Sequence, residues 1–311
     1  MIKRTLYFGN PAYLSLSNGQ LVIRKPDDGD LPVEWFEPVI KTVPIEDIGV
    51  IVIDNRQITI TSALVSALLE NKTAVISCDD KSMPSGLLLP LYGNDIQNER
   101  FRNQIDVSLP LKKQLWQQIV AAKIQNQAAV LKYVSGENAR NMLSWAGSVK
   151  SGDTENIEGR AAAYYWRNIF PELPYFNRGR FEESPNNLLN YGYAILRAVV
   201  ARSLVATGLL PTLGIHHHNR YNAFCLADDI MEPYRPYVDK FVVDIMREGN
   251  LCPQLTKDIK ARLLMLPAID VTINDRRSPL MLATMQTASS LNKCFNGEAR
   301  KLICPEMECP D

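Results

Sequence analysis

The chain has 311 residues, of which 46% are apolar and 22% are charged, and its 34 basic residues balance 34 acidic ones. This length accommodates two domains with separate cores, and the zero net charge argues against a uniformly basic nucleic-acid-binding protein. There is no run of about 18 apolar residues and no apolar secretory segment at the start, so we expect a cytoplasmic protein without a membrane span. The six cysteines form no Cys-x-x-Cys pair, which argues against a disulfide framework or a zinc ribbon.

The charges are unevenly distributed along the chain. Residues 1–96 carry 8 basic and 12 acidic residues, residues 97–204 carry 14 and 9, and residues 205–311 carry 12 and 13. A locally basic surface can hold a phosphate backbone even when the whole chain is neutral. Solvated helix faces would explain the same excess in the middle third, so charge alone leaves both interpretations open.

The first part of the chain is predicted to be mainly β. Runs rich in β-branched and aromatic residues, separated by turn dipeptides, predict strands at Thr5–Phe8, Tyr13–Ser17, Gln20–Arg24 and Gly49–Asp54. Asn18 and Gly19 lie between two of these runs and are typical of a two-residue hairpin turn. A short helix is predicted at Ser62–Glu70 and a buried strand at Thr73–Cys78. Residues 1–92 are therefore predicted to form a small, mainly β domain.

A polar, turn-prone segment, residues 93–100, is predicted to link this domain to a helical one. Apolar residues at helical spacing predict helices at about 111–134, 139–149, 187–206, 226–248, 256–264 and 279–293. Pro233 and Pro236 fit only near a helix start or a kink. The predicted fold class is α+β, with a larger all-α domain over residues 101–311. The tail from Cys304 onwards is expected to be flexible.

The histidines of this chain are consecutive, at His216, His217 and His218. They follow a turn marked by Pro211 and Gly214, which predicts a loop. Acidic residues stand at the start of the next helix, at Asp228, Asp229 and Glu232. An imidazole facing a carboxylate is a common way to hold a divalent metal. The helix dipole alone also favours acidic residues in a first turn, so the residues by themselves leave a metal site and an ordinary helix start both open.

A longer pattern surrounds these histidines. Its residues are Gly214–His217, Asn219, Asn222, Phe224, Leu226, Asp229 and Met231–Pro236. On these residues the chain resembles the central motif of the CRISPR-associated Cas-one family of DNA integrases, in the variant that accompanies type II systems. In that family a histidine and an acidic residue fifteen positions later bind the metal, and counting back from Glu232 selects His217. The choice among the three histidines rests on this spacing.

A second matching segment is Asn156–Trp166, in which Glu158 precedes a Gly/Arg/Ala-rich stretch and an aromatic pair. Taken alone, Glu158 is a first-turn glutamate of the kind that the helix dipole favours. The segment is similar to the first metal-binding motif of the family. The resemblance therefore implies that Glu158, His217 and Glu232 form the catalytic and metal-binding set, and that the β-rich domain mediates dimerisation.

Two carboxylates and one imidazole favour Mg²⁺ or Mn²⁺ over a structural zinc ion. Such a metal can activate water, which gives a nuclease, or a DNA 3′-hydroxyl, which gives strand transfer. The resemblance implies the second reaction, the insertion of short DNA spacers into a CRISPR array. His218 and Asn219 could orient a phosphate or support the ligands. Asp229 is the rival ligand, because it lies three residues before Glu232 on one helical face.

Four arginines flank the Glu158 segment: Arg160, Arg167, Arg178 and Arg180. Arginine suits phosphates because its planar fork binds two oxygens, and Tyr164–Trp166 adds aromatic rings among these arginines. As a group they predict a phosphate track, although each one alone suits a surface or packing role. Neutralising Arg178 and Arg180 together is expected to weaken DNA binding and flatten its salt dependence.

The resemblance also implies partners. These are double-stranded DNA as prespacer and CRISPR repeat, a second copy of the chain in a homodimer, the small Cas-two protein, and other type II CRISPR proteins. Two alternative functions stay open. One is a structure-selective DNase that cuts without integrating, and the other is a non-catalytic DNA-binding scaffold.

Overall fold

The computed structural model describes residues 3–25, 41–137, 139–179, 184–249 and 254–308. The chain divides into two compact units, Met1–Leu91 and Tyr92–Asp311. The first is rich in strands and the second in helices, which confirms the predicted α+β fold class. Within these described segments, no helix combines the length and apolarity needed to cross a bilayer.

In its described residues the first unit contains two four-stranded sheets and one α-helix. Its elements are β1 (Arg4–Phe8), β2 (Ala12–Ser17), β3 (Gln20–Arg24), β4 (Lys41–Pro44), β5 (Ile48–Ile53), β6 (Ile58–Ile60), α1 (Ser62–Glu70), β7 (Ala74–Cys78) and β8 (Pro84–Leu88). The strand orders are β1-β5-β7-β8 and β4-β3-β2-β6. The predicted hairpin turn is confirmed, because Ser17 pairs with Gln20 and the two residues between them have φ of 49° and 70°. Positive φ at both positions is what the tight hairpin turn requires.

One apolar core joins the two sheets and α1. It includes Leu14 and Leu21 from one sheet, Ile51 from the other, and Leu64 and Leu68 from α1. Strand β5 has the sequence IGVIVI and is buried along almost its whole length. A continuous apolar run of this kind is expected for a parallel strand covered on both faces. The local pattern thus accounts for the central position of β5.

The second unit is built mainly from helices. They are α2 (Gln97–Ile105), α3 (Leu109–Ser135), α4 (Arg140–Ser148), α5 (Ile157–Asn168), α6 (Asn186–Ala206), α7 (Cys225–Met231), α8 (Arg235–Glu248), α9 (Lys257–Leu263) and α10 (Leu280–Phe295). Helix α2 lies partly in the segment predicted as a linker, and the compact unit already begins at Tyr92. Helix α3 has 27 residues and therefore a length of about 40 Å. It contacts α4, α5, α7 and α8, whereas α6 contacts α7, α8, α9 and α10, so these two long helices together place the others.

The helix predicted over residues 226–248 is interrupted at its prolines. A 3₁₀ turn, Glu232–Tyr234, separates α7 from α8. Proline cannot donate the backbone bond that would continue an α-helix, which explains the break at Pro233. Asn126 of α3 donates its side-chain amide to the carbonyl of Pro233 at 2.8 Å. The kink therefore fixes Glu232 beside α3.

The helical unit also contains strands that the helical pattern did not predict. A three-stranded antiparallel sheet consists of β9 (Asp270–Ile273), β10 (Arg276–Pro279) and β11 (Pro305–Glu306), in the order β10-β9-β11. The expectation of a flexible tail is wrong as far as residue 308. Met307 N–H donates to the side chain of Asn126 at 2.8 Å, and the Pro305 carbonyl accepts from the same side chain at 3.0 Å. Residues 309–311 lie outside the described residues.

Candidate metal-binding and catalytic site

The histidines lie on a tightly folded loop between α6 and α7, as predicted. Gln104 of α2 holds the start of this loop, because its amide donates to the Leu210 carbonyl at 3.0 Å and its oxygen accepts from Leu210 N–H at 2.8 Å. Gly214 allows the loop to close on itself. A Cβ atom at this position would lie 2.3 Å from the carbonyl oxygen of His217. A side chain at position 214 would therefore force the histidine backbone to move.

Asp229 of α7 organises the histidine loop. Its buried carboxylate accepts backbone hydrogen bonds from Ile215 at 2.6 Å, His216 at 3.0 Å and His217 at 3.2 Å. The same carboxylate lies 2.6 Å from Nδ1 of His217. A carboxylate bound to one ring nitrogen fixes the orientation of an imidazole and leaves the other nitrogen available for a metal. Both oxygens of the predicted rival ligand are thus engaged by the histidine loop, and Oδ1 is the one that holds His217.

The two other histidines have different surroundings. The ring of His216 is stacked on Trp116 of α3, with centroids 4.1 Å apart and an interplanar angle of 1°. Partial burial lowers the pKa of His216, whereas the hydrogen bond to Asp229 raises the pKa of His217 against the opposing effect of burial. His218 is exposed, as is Asn219, whose side chain accepts a hydrogen bond from the backbone of the same loop. Of the three, His217 is the one whose ring is held by a carboxylate.

Asp228, the residue before Asp229, also binds this loop. Its Oδ1 accepts from Nε of Arg197 at 2.6 Å, and its Oδ2 accepts from the Asn222 side chain at 2.7 Å. Adjacent carboxylates at the start of α7 therefore hold the loop at two separate points. The sequence predicted Asp228 at the start of a helix. It did not indicate the contact with Arg197, because that residue is 31 positions away in the chain.

Glu158 and Glu232 meet at a third charged side chain, Lys123 of α3. Its Nζ lies 2.6 Å from Oε1 of Glu158 and 2.6 Å from Oε2 of Glu232. The other oxygen of Glu232 lies 2.9 Å from Nε of Arg235. Asp153 accepts the backbone N–H of Glu158 at 3.0 Å, which fixes the start of α5. Two carboxylates that are 74 residues apart in the chain are thus brought to one cation.

Charge interactions link Lys123, the two glutamates and His217. Burial opposes the charged form of Lys123, but the negative charges of Glu232 and Glu158 outweigh it and raise the pKa of the ammonium. Burial likewise opposes the charged form of Glu232, while Arg235 and Lys123 together hold its pKa below the ordinary value. The charges of Glu232 and Glu158 also act on His217. Glu158 and Glu232 therefore meet at Lys123, and His217 lies within the electrostatic influence of both.

The residues present suit a divalent cation. Oε2 of Glu232 is buried and lies 2.6 Å from the Lys123 ammonium, so this oxygen already faces a cation. Oxygen donors of this kind, with one imidazole, match the preferences of Mg²⁺ and Mn²⁺. Among the described residues, no three His, Cys, Asp or Glu side chains form a ready-made metal cluster. The two glutamates are therefore arranged around Lys123 rather than around an open space.

Sequence reasoning missed Lys123. On α3 it lies at helical spacing from Trp116, Ile119 and Val120, all of which are buried. A lysine on the apolar face of a long helix is almost never buried unless it is paired. The position of Lys123 on an apolar helix face could have predicted a buried, paired lysine. The sequence did not indicate which carboxylates would pair with it.

The four predicted DNA-contacting arginines differ in placement. Arg160 and Arg167 are exposed on α5. Arg178 donates to the side chains of Asn186 at 2.9 Å and Asn190 at 2.7 Å, so its terminal nitrogens serve contacts within the protein. Arg180 lies outside the described residues. Arg160 and Arg167 are therefore the members of the set that the structure leaves available to a phosphate backbone.

A buried network packs beside Arg235. Asp239 of α8 accepts hydrogen bonds from the hydroxyls of Tyr165, at 2.9 Å, and Tyr193. The Arg235 guanidinium lies 4.8 Å from the centroid of the Tyr193 ring. Burial raises the pKa of Asp239 to about 6, although both hydroxyls favour its charged form. This network joins α5, α6 and α8 and so supports the elements that carry Glu158 and Glu232.

Fold and site together define a two-unit α+β protein with a histidine–carboxylate site in its helical unit. The family profile described as "CRISPR associated protein Cas1" matches residues 6–266. The CRISPR-associated endonuclease Cas1 of Neisseria meningitidis serogroup C (strain 8013) is 37% identical over 313 residues, which cover 99% of this chain and 97% of the relative. The chain belongs to the Cas1 family.

Solved structures agree on the fold. A casposase bound to an integration product superposes with a TM-score of 0.75 at 20% identity, covering 97% of this chain and 92% of the casposase chain. A Cas6-RT-Cas1–Cas2 complex gives a TM-score of 0.73 at 20% identity and covers 98% of this chain but 36% of the larger one. At this level of identity the likeness concerns the fold, and it extends over both units.

Proposed function

We propose that this protein is a metal-dependent DNA endonuclease and integrase that inserts short DNA spacers into a CRISPR array. The observation that carries the proposal is the convergence of Glu158 and Glu232 on one cation, together with His217, which Asp229 holds and on which the charges of both glutamates act. The relative from Neisseria meningitidis is named an endonuclease, and the casposase was solved on an integration product. Both names support DNA strand cleavage or transfer.

In this proposal Glu158, His217 and Glu232 hold Mg²⁺ or Mn²⁺. The ion would polarise the phosphodiester and help to activate the attacking oxygen, a DNA 3′-hydroxyl in the integration reaction. Asp229 keeps the His217 ring in a fixed orientation through Nδ1. The exposed Arg160 and Arg167 bind the DNA backbone on the α5 side.

Several partners belong to the same proposal. Double-stranded DNA, as prespacer and as CRISPR repeat, is the substrate. A homodimer formed through the β-rich unit assembles with a Cas2 protein, and the solved complex in which a related fold occurs together with Cas2 supports this assembly. Other type II CRISPR proteins are further candidates, on the motif resemblance.

The deciding experiment is Mn²⁺-dependent strand transfer of a short duplex into a supercoiled plasmid, compared between the wild type and His217→Ala. Loss of transfer in the variant supports the proposal. Hydrolysis without joining favours a structure-selective DNase, and inactivity of both proteins favours a non-catalytic DNA-binding scaffold. Glu158→Gln should behave like His217→Ala. Its matched control is Glu155→Gln, three residues earlier, where the side chain is about half exposed and pairs with a surface lysine.

A further inference from the structure

Lys123 occupies the space between the two carboxylates that converge in the helical unit. Its side chain is 11% exposed, and those of Glu158 and Glu232 are 24% and 5% exposed. The contacts on both sides are 2.6 Å long, so the ammonium is shared between the two acids. An ammonium in this position neutralises one of two negative charges that burial would otherwise leave repelling each other.

A divalent ion would need the same oxygens. Mg²⁺ requires oxygen ligands at about 2.0–2.1 Å with near-ideal geometry. Oε1 of Glu158 and Oε2 of Glu232 already contact Nζ, and a metal bound between them would bring two cations into direct contact. The repulsion between like charges at such short range excludes simultaneous occupation. Lysine is suited to leave, because its charge sits at the end of a flexible four-carbon stem.

We propose that Lys123 is an internal cation that closes the metal-free site and is displaced when a divalent ion binds between Glu158 and Glu232. This inference rests on the proposed function in one respect, that these two glutamates are metal ligands. Arg235 has a different part, because it contacts the other oxygen of Glu232 and stays paired when the ion arrives. Lys123 thus stabilises the metal-free protein and, by competing for the same oxygens, weakens metal binding.

The test is calorimetric titration of the full-length protein with Mn²⁺, comparing the wild type with Lys123→Met and Lys123→Gln. Removing the competing charge is expected to tighten Mn²⁺ binding by at least about tenfold and to lower the melting temperature in EDTA. Lys150→Met is the matched control, because Lys150 pairs with Glu155 at the surface and its side chain is 66% exposed. The control variant should bind Mn²⁺ with the same affinity as the wild type. Unchanged or weaker binding to the folded Lys123 variants would overturn the inference.

A measurement on the wild type covers the case in which neither Lys123 variant folds. With ¹⁵N-labelled lysine, the Nζ signal of Lys123 should move as Mg²⁺ is added, while that of Lys150 stays in place. A Lys123 signal that does not change at saturating Mg²⁺ would overturn the inference. Failure of the underlying proposal looks different, because Glu158→Gln would then bind Mn²⁺ as tightly as the wild type.

Discussion

Replacing Asp229 by asparagine is expected to release the histidine loop. Each carboxylate oxygen accepts two hydrogen bonds, one pair from Ile215 and His216 and the other from the backbone and ring of His217. An asparagine keeps one oxygen and turns its NH₂ group towards the other pair of donors, so two of the four bonds are lost. A hydrogen bond to a charged group contributes about 1.5–3 kcal/mol, so the free energy of loop opening should fall by about 3–6 kcal/mol.

Amide hydrogen exchange measures this effect locally. A loss of about 3 kcal/mol corresponds to exchange that is roughly a hundredfold faster, and it should be confined to peptides covering residues 213–218. DNA cleavage should be lost in parallel, because His217 no longer has a fixed orientation. Asp258→Asn is the control, since Asp258 is exposed in the first turn of α9. Unchanged exchange and full activity in Asp229→Asn would contradict the assignment of Asp229 as the residue that holds the loop.

Two further predictions concern charges away from this loop. Asp239 has a pKa near 6 in the folded protein against an ordinary value of 3.8, so between about pH 4 and 6 the folded state binds the extra proton and the contribution of Asp239 to stability falls as the pH rises. The stability of the wild type relative to Asp239→Asn should therefore decrease by about 2 kcal/mol from pH 4 to pH 7 in urea unfolding. A difference that does not depend on pH would count against this pKa. Replacing Arg160 and Arg167 together by glutamine should reduce the slope of log DNA affinity against log salt concentration by about two. The Arg178→Gln variant should chiefly lower stability. Equal salt slopes in the double variant and the wild type would show that α5 does not contact DNA.

Local sequence signals predicted much of the secondary structure. The Asn18–Gly19 turn, the end of α3 at Gly136 and the interruption near Pro233 each depend on backbone geometry that a few neighbouring residues determine. Strand β11 was not predicted, because it pairs with a strand more than thirty residues earlier and has only two residues. The β9–β10 hairpin was missed although Asn274 and Asp275 form a local two-residue turn. A short strand depends on its partner for stability and leaves little periodicity in the chain.

The order of amino acids indicated candidate residues for the site, and the resemblance of one motif to a family selected one of three histidines. The role of each acid became visible in the folded chain: Asp229 turns both oxygens to the loop, Glu232 turns towards α3, and Lys123 fills the space between two glutamates. Local structure could be predicted because helix propensity and capping act over a few residues. The charge balance of a buried site, in contrast, depends on side chains contributed by distant segments, and their meeting is set by how the helices pack.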